Sequence, residues 1–154
     1  MQKRNNILFI NILLLCIIAI ILSIYIILNF GANGNYLILT EVDELDKLYL
    51  SNDPKLLFID LRDSKDYEAG HIDKYINIPF SKDDKDTLLN FLEKNNYKDK
   101  TIVLMCYSSK RASEAFNLLI KNDYLHLYVV NINVEDLLNE YSNVLLTGPC
   151  NCFD

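Results

Sequence analysis

Thr101-Ile102-Val103-Leu104-Met105-Cys106-Tyr107-Ser108-Ser109-Lys110-Arg111 is followed at once by Ala112-Ser113-Glu114-Ala115-Phe116-Asn117-Leu118-Leu119-Ile120. The run from Thr101 to Met105 is short, apolar and rich in β-branched and long aliphatic residues, which predicts a buried strand. From Ala112 the apolar positions 112, 115, 116, 119 and 120 share one helical face, so a helix is predicted there. A cysteine thus leaves a strand end, enters a short loop and is followed by a helix. Such a loop can turn several backbone N–H groups inward, and a helix start adds partial positive charge. A thiol held there has its nucleophilic thiolate form favoured. Arg111 at the rim can fork onto an anion. The competing reading of Cys106 is a core thiol at a strand end, since free cysteine is among the most buried residue types.

Working outward, strands alternate with helices. Tyr36–Leu39 reads as a first strand, with Thr40 as N-cap of a helix through Tyr49. Ser51-Asn52-Asp53-Pro54 marks a turn, and Leu56–Asp60 a buried strand ending in a charge. A short helix is expected between Arg62 and Glu68, closed by Gly70-His71. Ile76–Pro79 reads as a short strand stopped by proline. Ser81 opens a helix carrying Leu88, Leu89 and Leu92 inward. Leu125–Val130 is a further strand, and Val134–Tyr141 a last helix with Leu137 and Leu138 inward. The fold class is α/β with a mostly parallel central sheet flanked by helices. In such sheets functional groups gather at the carboxyl ends of strands, where Cys106 falls.

The charge distribution divides the chain. Residues 1–30 carry only Lys3 and Arg4, whereas residues 31–154 hold the remaining 13 of 15 basic residues and all 21 acidic ones, a net charge of −8. An acidic domain argues against a nucleic-acid partner, whose phosphates it repels. Ile7 to Leu28 is apolar apart from Asn11, Ser23 and Tyr25. Twenty-two residues make a helix about 33 Å long, enough for a hydrocarbon core of about 30 Å. A cleaved signal peptide is the alternative, with a shorter apolar region and a small-residue cleavage site, for which Phe30-Gly31-Ala32-Asn33-Gly34 is a weak candidate. The expectation is an uncleaved single-pass anchor over residues 1–30, spanning with 7–28, then a linker at 31–35, a domain at 36–141 and a tail at 142–154. Lys3 and Arg4 before the span and acidic residues after it place the N-terminus in the cytoplasm and the domain on the other side.

The four cysteines are Cys16, Cys106, Cys150 and Cys152. They make no disulfide framework and no CxxC pair, and His71 and His126 lie far apart, so no metal site is expected. Cys16 is apolar filler in the anchor. Cys150 and Cys152 read either as incidental thiols of a frayed tail or as a redox or sulfur-accepting pair able to visit Cys106, with a disulfide to each other, under strain, or to a partner as the further choice in an oxidising compartment.

Three motifs resemble the rhodanese-like family over Tyr36 to Leu138. Leu57-Phe58-Ile59-Asp60-Leu61-Arg62 is similar to its strand ending in Asp-x-Arg. Tyr67-Glu68-Ala69-Gly70-His71-Ile72 with Ile76-Asn77-Ile78-Pro79 is similar to its Tyr-x-x-Gly-His-Ile and Asn-Ile-Pro signature. Cys106 to Arg111 resembles its six-residue active loop. The resemblance implies a sulfurtransferase. Cys106 would take a sulfane sulfur from a donor such as thiosulfate as a persulfide and pass it to a thiol or other thiophilic acceptor, small or protein. Tyr107, Ser108, Ser109, Lys110 and Arg111 would hold the small anionic donor through loop amides and the guanidinium. No cofactor is implied.

Asp60, Arg62, Glu68 and His71 read as structural: an ion pair, Arg62 with Glu68 being one choice, and a backbone-capping histidine. Where the family commonly has glycine at the fourth loop position this chain has Ser109, which carries a steric cost if φ is positive there. Its Gly-Gly after the 125–130 strand is replaced by Asn131-Ile132-Asn133, which fits a left-handed turn only in part. Two other functions fit the family: a non-catalytic binding or regulatory module, motivated by Ser109, and a phosphatase sharing the fold. The phosphatase loop has five residues between Cys and Arg, whereas only Tyr107, Ser108, Ser109 and Lys110 intervene here.

Overall fold

The computed structural model describes residues 12–25 and 34–149. Two compact units divide the chain after Asn33. In the first, residues 12–25 are helical and belong to helix α1, the described part being about 21 Å long. Among the described residues no helix is long and apolar enough to cross a membrane. The expected 22-residue span over 7–28 extends beyond the described residues at both ends. Cys16 lies on α1 and is exposed.

In the second unit, three apolar runs line up as the centre of a parallel sheet. They are β2 (Leu56–Asp60), β5 (Thr101–Met105) and β6 (His126–Val130). With β1 (Asn35–Leu39) and β4 (Tyr75–Asn77) they form a five-stranded sheet in the order β1-β6-β5-β2-β4, every pairing parallel. Strands buried on both faces need apolar residues at every position, hence continuous runs rather than alternation. One face packs Ile59, Ile102, Leu104, Leu127 and Val129 against Leu88 and Leu92 of α4 (Asp86–Lys94) and Ala112, Ala115 and Leu119 of α5 (Lys110–Lys121). The other packs Phe58, Val103, Met105 and Val130 against Leu45 and Tyr49 of α2 (Val42–Ser51) and Leu137 of α6 (Val134–Glu140). Each such aliphatic side chain, once fully buried, contributes roughly 1.5–3 kcal/mol.

The element boundaries differ from expectation in places with identifiable causes. Thr40 does not cap α2. Glu41 is the N-cap, and the Glu44 carboxylate accepts the Thr40 and Glu41 N–H groups at 3.0 and 3.4 Å, a reciprocal box that glutamate at the third helical position permits. Ser81 does not open α4, because residues 81–84 close a turn of their own, with Asp84 N–H on Ser81 O and Oγ. The helix after the cysteine begins at Lys110, not Ala112, so Lys110 and Arg111 belong to its first turn. The fold continues past Tyr141. Ser142–Val144 form a 3-10 turn, and β7 (Leu145–Leu146) pairs antiparallel with β3 (His71–Ile72), so these residues are held by the domain rather than frayed from it. Cys150 and Cys152 lie outside the described residues.

Candidate active site

Adjacent parallel strands leave the sheet side by side, and this brings the Asp-x-Arg and cysteine motifs together. Asp60 pairs with Met105 in register, and Leu61 N–H donates to Met105 O at 2.9 Å. The two strand exits are therefore one backbone bond apart. Cys106 follows Met105 directly and is 2% exposed. Its sulfur joins the core cluster of Leu104, Ala112 and Ala115 and accepts the Ala112 N–H at 3.4 Å. That amide lies in the first turn of α5, whose N–H groups have no intrahelical acceptor and point toward the loop. The two readings of Cys106 thus meet in one position, a buried thiol whose sulfur sits at a helix start.

The loop is short because Ser109 reverses the backbone sharply. It takes φ 57° and ψ −9°, caps α5, and its carbonyl accepts the Ser113 N–H at 2.8 Å. The positive φ expected to be costly for serine is therefore present. The second anticipated left-handed turn is absent. Neither Asn131 nor Asn133 has positive φ, and Asn133 instead caps α6, its Oδ1 accepting the Glu135 N–H at 2.8 Å. The Val134 N–H reaches Tyr107 O at 3.4 Å and ties the loop to α6. Tyr107 and Ser108 are exposed. Partial burial, then the Asp66 carboxylate at its hydroxyl, raises the Tyr107 phenol above its ordinary pKa.

Arg62 does not pair with Glu68, which is exposed. Its Nη2 meets Asp60 Oδ2 at 2.6 Å and Gly70 O at 2.8 Å, with Arg62 and Asp60 2% and 0% exposed. The Arg62 N–H also donates to Asp60 Oδ1 at 2.9 Å. A chain turning out of a strand brings residues two apart into contact, which a helical spacing of six does not. The Asn77 side chain locks the same turn, donating to Asp60 O at 3.1 Å and Arg62 O at 2.9 Å. His71 is buried, and its Nδ1–H donates to Tyr67 O at 2.9 Å, the ring stacked on Tyr67 at 3.6 Å. It caps α3 (Ser64–Ala69) and has no contact with the cysteine loop among these bonds.

Arg111 is held from two sides. Its Nη1 donates to Leu61 O at 3.2 Å and to Asp63 Oδ1 at 3.1 Å, and its Nη2 donates to Asp63 Oδ2 at 3.3 Å. Asp63 carried no signal in the sequence, because its partner lies 48 residues away. Asn77 was visible only as part of a motif, without its role.

A protein-family model described as a rhodanese-like domain matches residues 41–138. The chain belongs to the rhodanese-like family. Among curated proteins, the rhodanese-like domain is 32% identical over 111 residues to a tRNA uridine(34) hydroxylase of Sodalis glossinidius, covering 71% of this chain and 28% of that protein. It is 28% identical over 105 residues to a probable molybdopterin-synthase adenylyltransferase of Porphyra purpurea, covering 68% and 25%. The chain thus spans less than a third of these relatives' lengths. Among solved structures, a single-domain sulfurtransferase of Saccharomyces cerevisiae superposes with a TM-score of 0.58 at 19% identity, covering 73% of this chain and 97% of that one. That likeness is one of fold.

Within the rhodanese-like domain, the structure brings Cys106, Tyr107, Ser108, Ser109, Lys110 and Arg111 into a single loop and helix start. It places Asp60 and Arg62 at the neighbouring strand exit, the Arg62 guanidinium 5.8 Å from the Tyr107 ring centroid, and leaves Glu68 outside. No group of side chains suited to a metal ion occurs among the described residues.

Proposed function

We propose that this chain is a sulfurtransferase of the rhodanese type, tethered to a membrane through residues 7–28. The observation that carries the reading is the Cys106 sulfur, held at a strand end against the first turn of α5 with the Ala112 N–H on it and Arg111 five residues along. In the first half-reaction the Cys106 thiolate attacks the outer sulfur of thiosulfate. The sulfur–sulfur bond of the donor breaks, sulfite leaves with the electron pair, and Cys106 holds a persulfide. In the second, a thiophile such as cyanide or a thiolate attacks the outer persulfide sulfur. The new bond forms on the acceptor, and the Cys106 thiolate is released. The amides of the cysteine loop steady the terminal sulfur, and Arg111 draws in the anionic end of the donor. Four residues between Cys106 and Arg111 make a cradle sized for sulfur rather than for a phosphoryl group, which disfavours the phosphatase.

A binding module is the second reading, and the Asp63 carboxylate on the Arg111 fork favours it. The test is mass spectrometry of the full chain after thiosulfate treatment. One added sulfur on Cys106, absent in Cys106→Ser, is expected; an unmodified Cys106 with thiosulfate bound would favour the binding module.

The tether is read from the apolar composition of residues 7–28, with Lys3 and Arg4 before it and the domain beyond the membrane. Cys150 and Cys152 are proposed as acceptor thiols for the Cys106 sulfur.

A further inference from the structure

Asp63 occupies the group that an anionic donor needs. Its backbone carbonyl accepts the Asp66 and Tyr67 N–H groups at 2.9 and 3.1 Å and so starts α3. Its side chain makes no capping bond to that helix. Both carboxylate oxygens go instead to Arg111, Oδ1 to Nη1 at 3.1 Å and Oδ2 to Nη2 at 3.3 Å. This two-pronged contact is the one a planar or tetrahedral oxyanion makes with a guanidinium. Asp63 is 64% exposed and Arg111 33%. The pair is wet, its bonds are long, and it opens at little cost. The Leu61 carbonyl, 3.2 Å from Nη1, keeps the guanidinium at the loop when the carboxylate swings away.

We propose that Asp63 is an internal competitor of the sulfur donor for Arg111, and so sets the affinity and charge selectivity of the site. This rests on the sulfurtransferase reading. A donor with an oxyanion end enters by exchange: the Asp63 carboxylate leaves the fork for solvent, and the donor's oxygens take its place. Apparent affinity is lowered by the fraction of molecules in which the fork is closed. A neutral sulfane-sulfur donor does not use the fork and escapes this penalty. Asp63 touches neither the sulfur nor the reacting bond, so it acts on donor binding and leaves the chemical step alone.

The test measures thiosulfate binding by calorimetry to the full chain carrying Cys106→Ser, in which no sulfur is transferred. Asp63→Asn is added alone, Arg111→Ala alone, and both together. The Asp63 side chain makes no capping bond and its backbone carbonyl is unchanged, so α3 is preserved. Removing an exposed ionic competitor is expected to tighten thiosulfate binding about two- to fivefold, and to do so only where Arg111 is present. In the chain with Cys106 intact, Asp63→Asn is expected to lower KM for thiosulfate by the same factor with kcat unchanged. Weaker or unchanged binding would show that Asp63 holds Arg111 in place, and equal tightening without Arg111 would reduce it to general charge repulsion. Either result overturns the proposal. The binding cycle runs without sulfur transfer. If it succeeds while Cys106 never gains a sulfur, the sulfurtransferase reading fails and the competition stands for a bound oxyanion.

Discussion

Ser109 holds a backbone conformation that its side chain opposes. Among the described non-glycine residues, the others with positive φ are Asn52, Asn96 and Asp123, types whose short polar side chains ease the left-handed region. Serine bonds its own neighbourhood, Oγ to Ser108 O at 2.6 Å, yet keeps a Cβ that crowds the following carbonyl at a cost of roughly 1–2 kcal/mol. Glycine removes that clash and adds roughly 0.5–1 kcal/mol of backbone entropy to lose. Ser109→Gly is therefore expected to stabilise the domain by about 0.5–1 kcal/mol, seen as a higher urea midpoint with the slope unchanged. A lower midpoint would show that serine is accommodated without strain.

At the scale of elements, the exit of β2 is the support on which the cysteine loop rests. Asp60 and Arg62 form a buried pair that also engages Gly70 O, through Nη2, and the Arg62 N–H, through Asp60 Oδ1. Removing one partner leaves an uncompensated charge in the interior. Arg62→Met is expected to destabilise by about 3–5 kcal/mol, measured by chemical denaturation. Asp60→Asn combined with it is expected to cost less than the sum of the two single changes. Strict additivity would mean that the two side chains act independently, against the geometry.

At the scale of the molecule, buried phenols tie stability to alkaline pH. Burial, then the nearby Asp60 carboxylate, pushes Tyr67 up to about 12. Burial raises Tyr75 as well, and burial with the Asp73 and Asp46 carboxylates raises Tyr49 and Tyr141. Unfolded tyrosines ionise near pH ~10, while these stay neutral in the folded state. Their contribution is complete below that pH and is lost as pH climbs through ~10 toward the folded values, because the unfolded state releases protons first. Unfolding free energy is expected to be flat from pH 8 to 9 and to fall steeply by pH 11, with Tyr67→Phe reducing the slope; a profile level to pH 11 would refute the assignment. The proposed tether makes a separate statement about the whole chain. Full-length protein is expected to stay with membranes through alkaline carbonate washing. A soluble mature form starting near residue 31 would instead restore the cleaved-signal reading.

The sequence by itself determined the α/β class and the main strands, because fully buried parallel strands must be written as unbroken apolar runs such as Leu57–Ile59 and Ile102–Met105. It also placed Cys106 at a strand end, since a polar loop and a periodic apolar helix face bound it on one side. Only the tertiary structure decided how the strands are ordered and which polar groups meet. Arg62 chose Asp60 over Glu68 because a strand exit folds back on itself. Asp63 found Arg111 because β2 and β5 are neighbours in the sheet, a juxtaposition over 48 residues that no local pattern records. The start of α5 at Lys110 and the sign of φ at Ser109 belong to the same class. Local propensity favours no left-handed serine, yet the short connection from β5 to α5 holds Ser109 in that conformation at the helix N-cap.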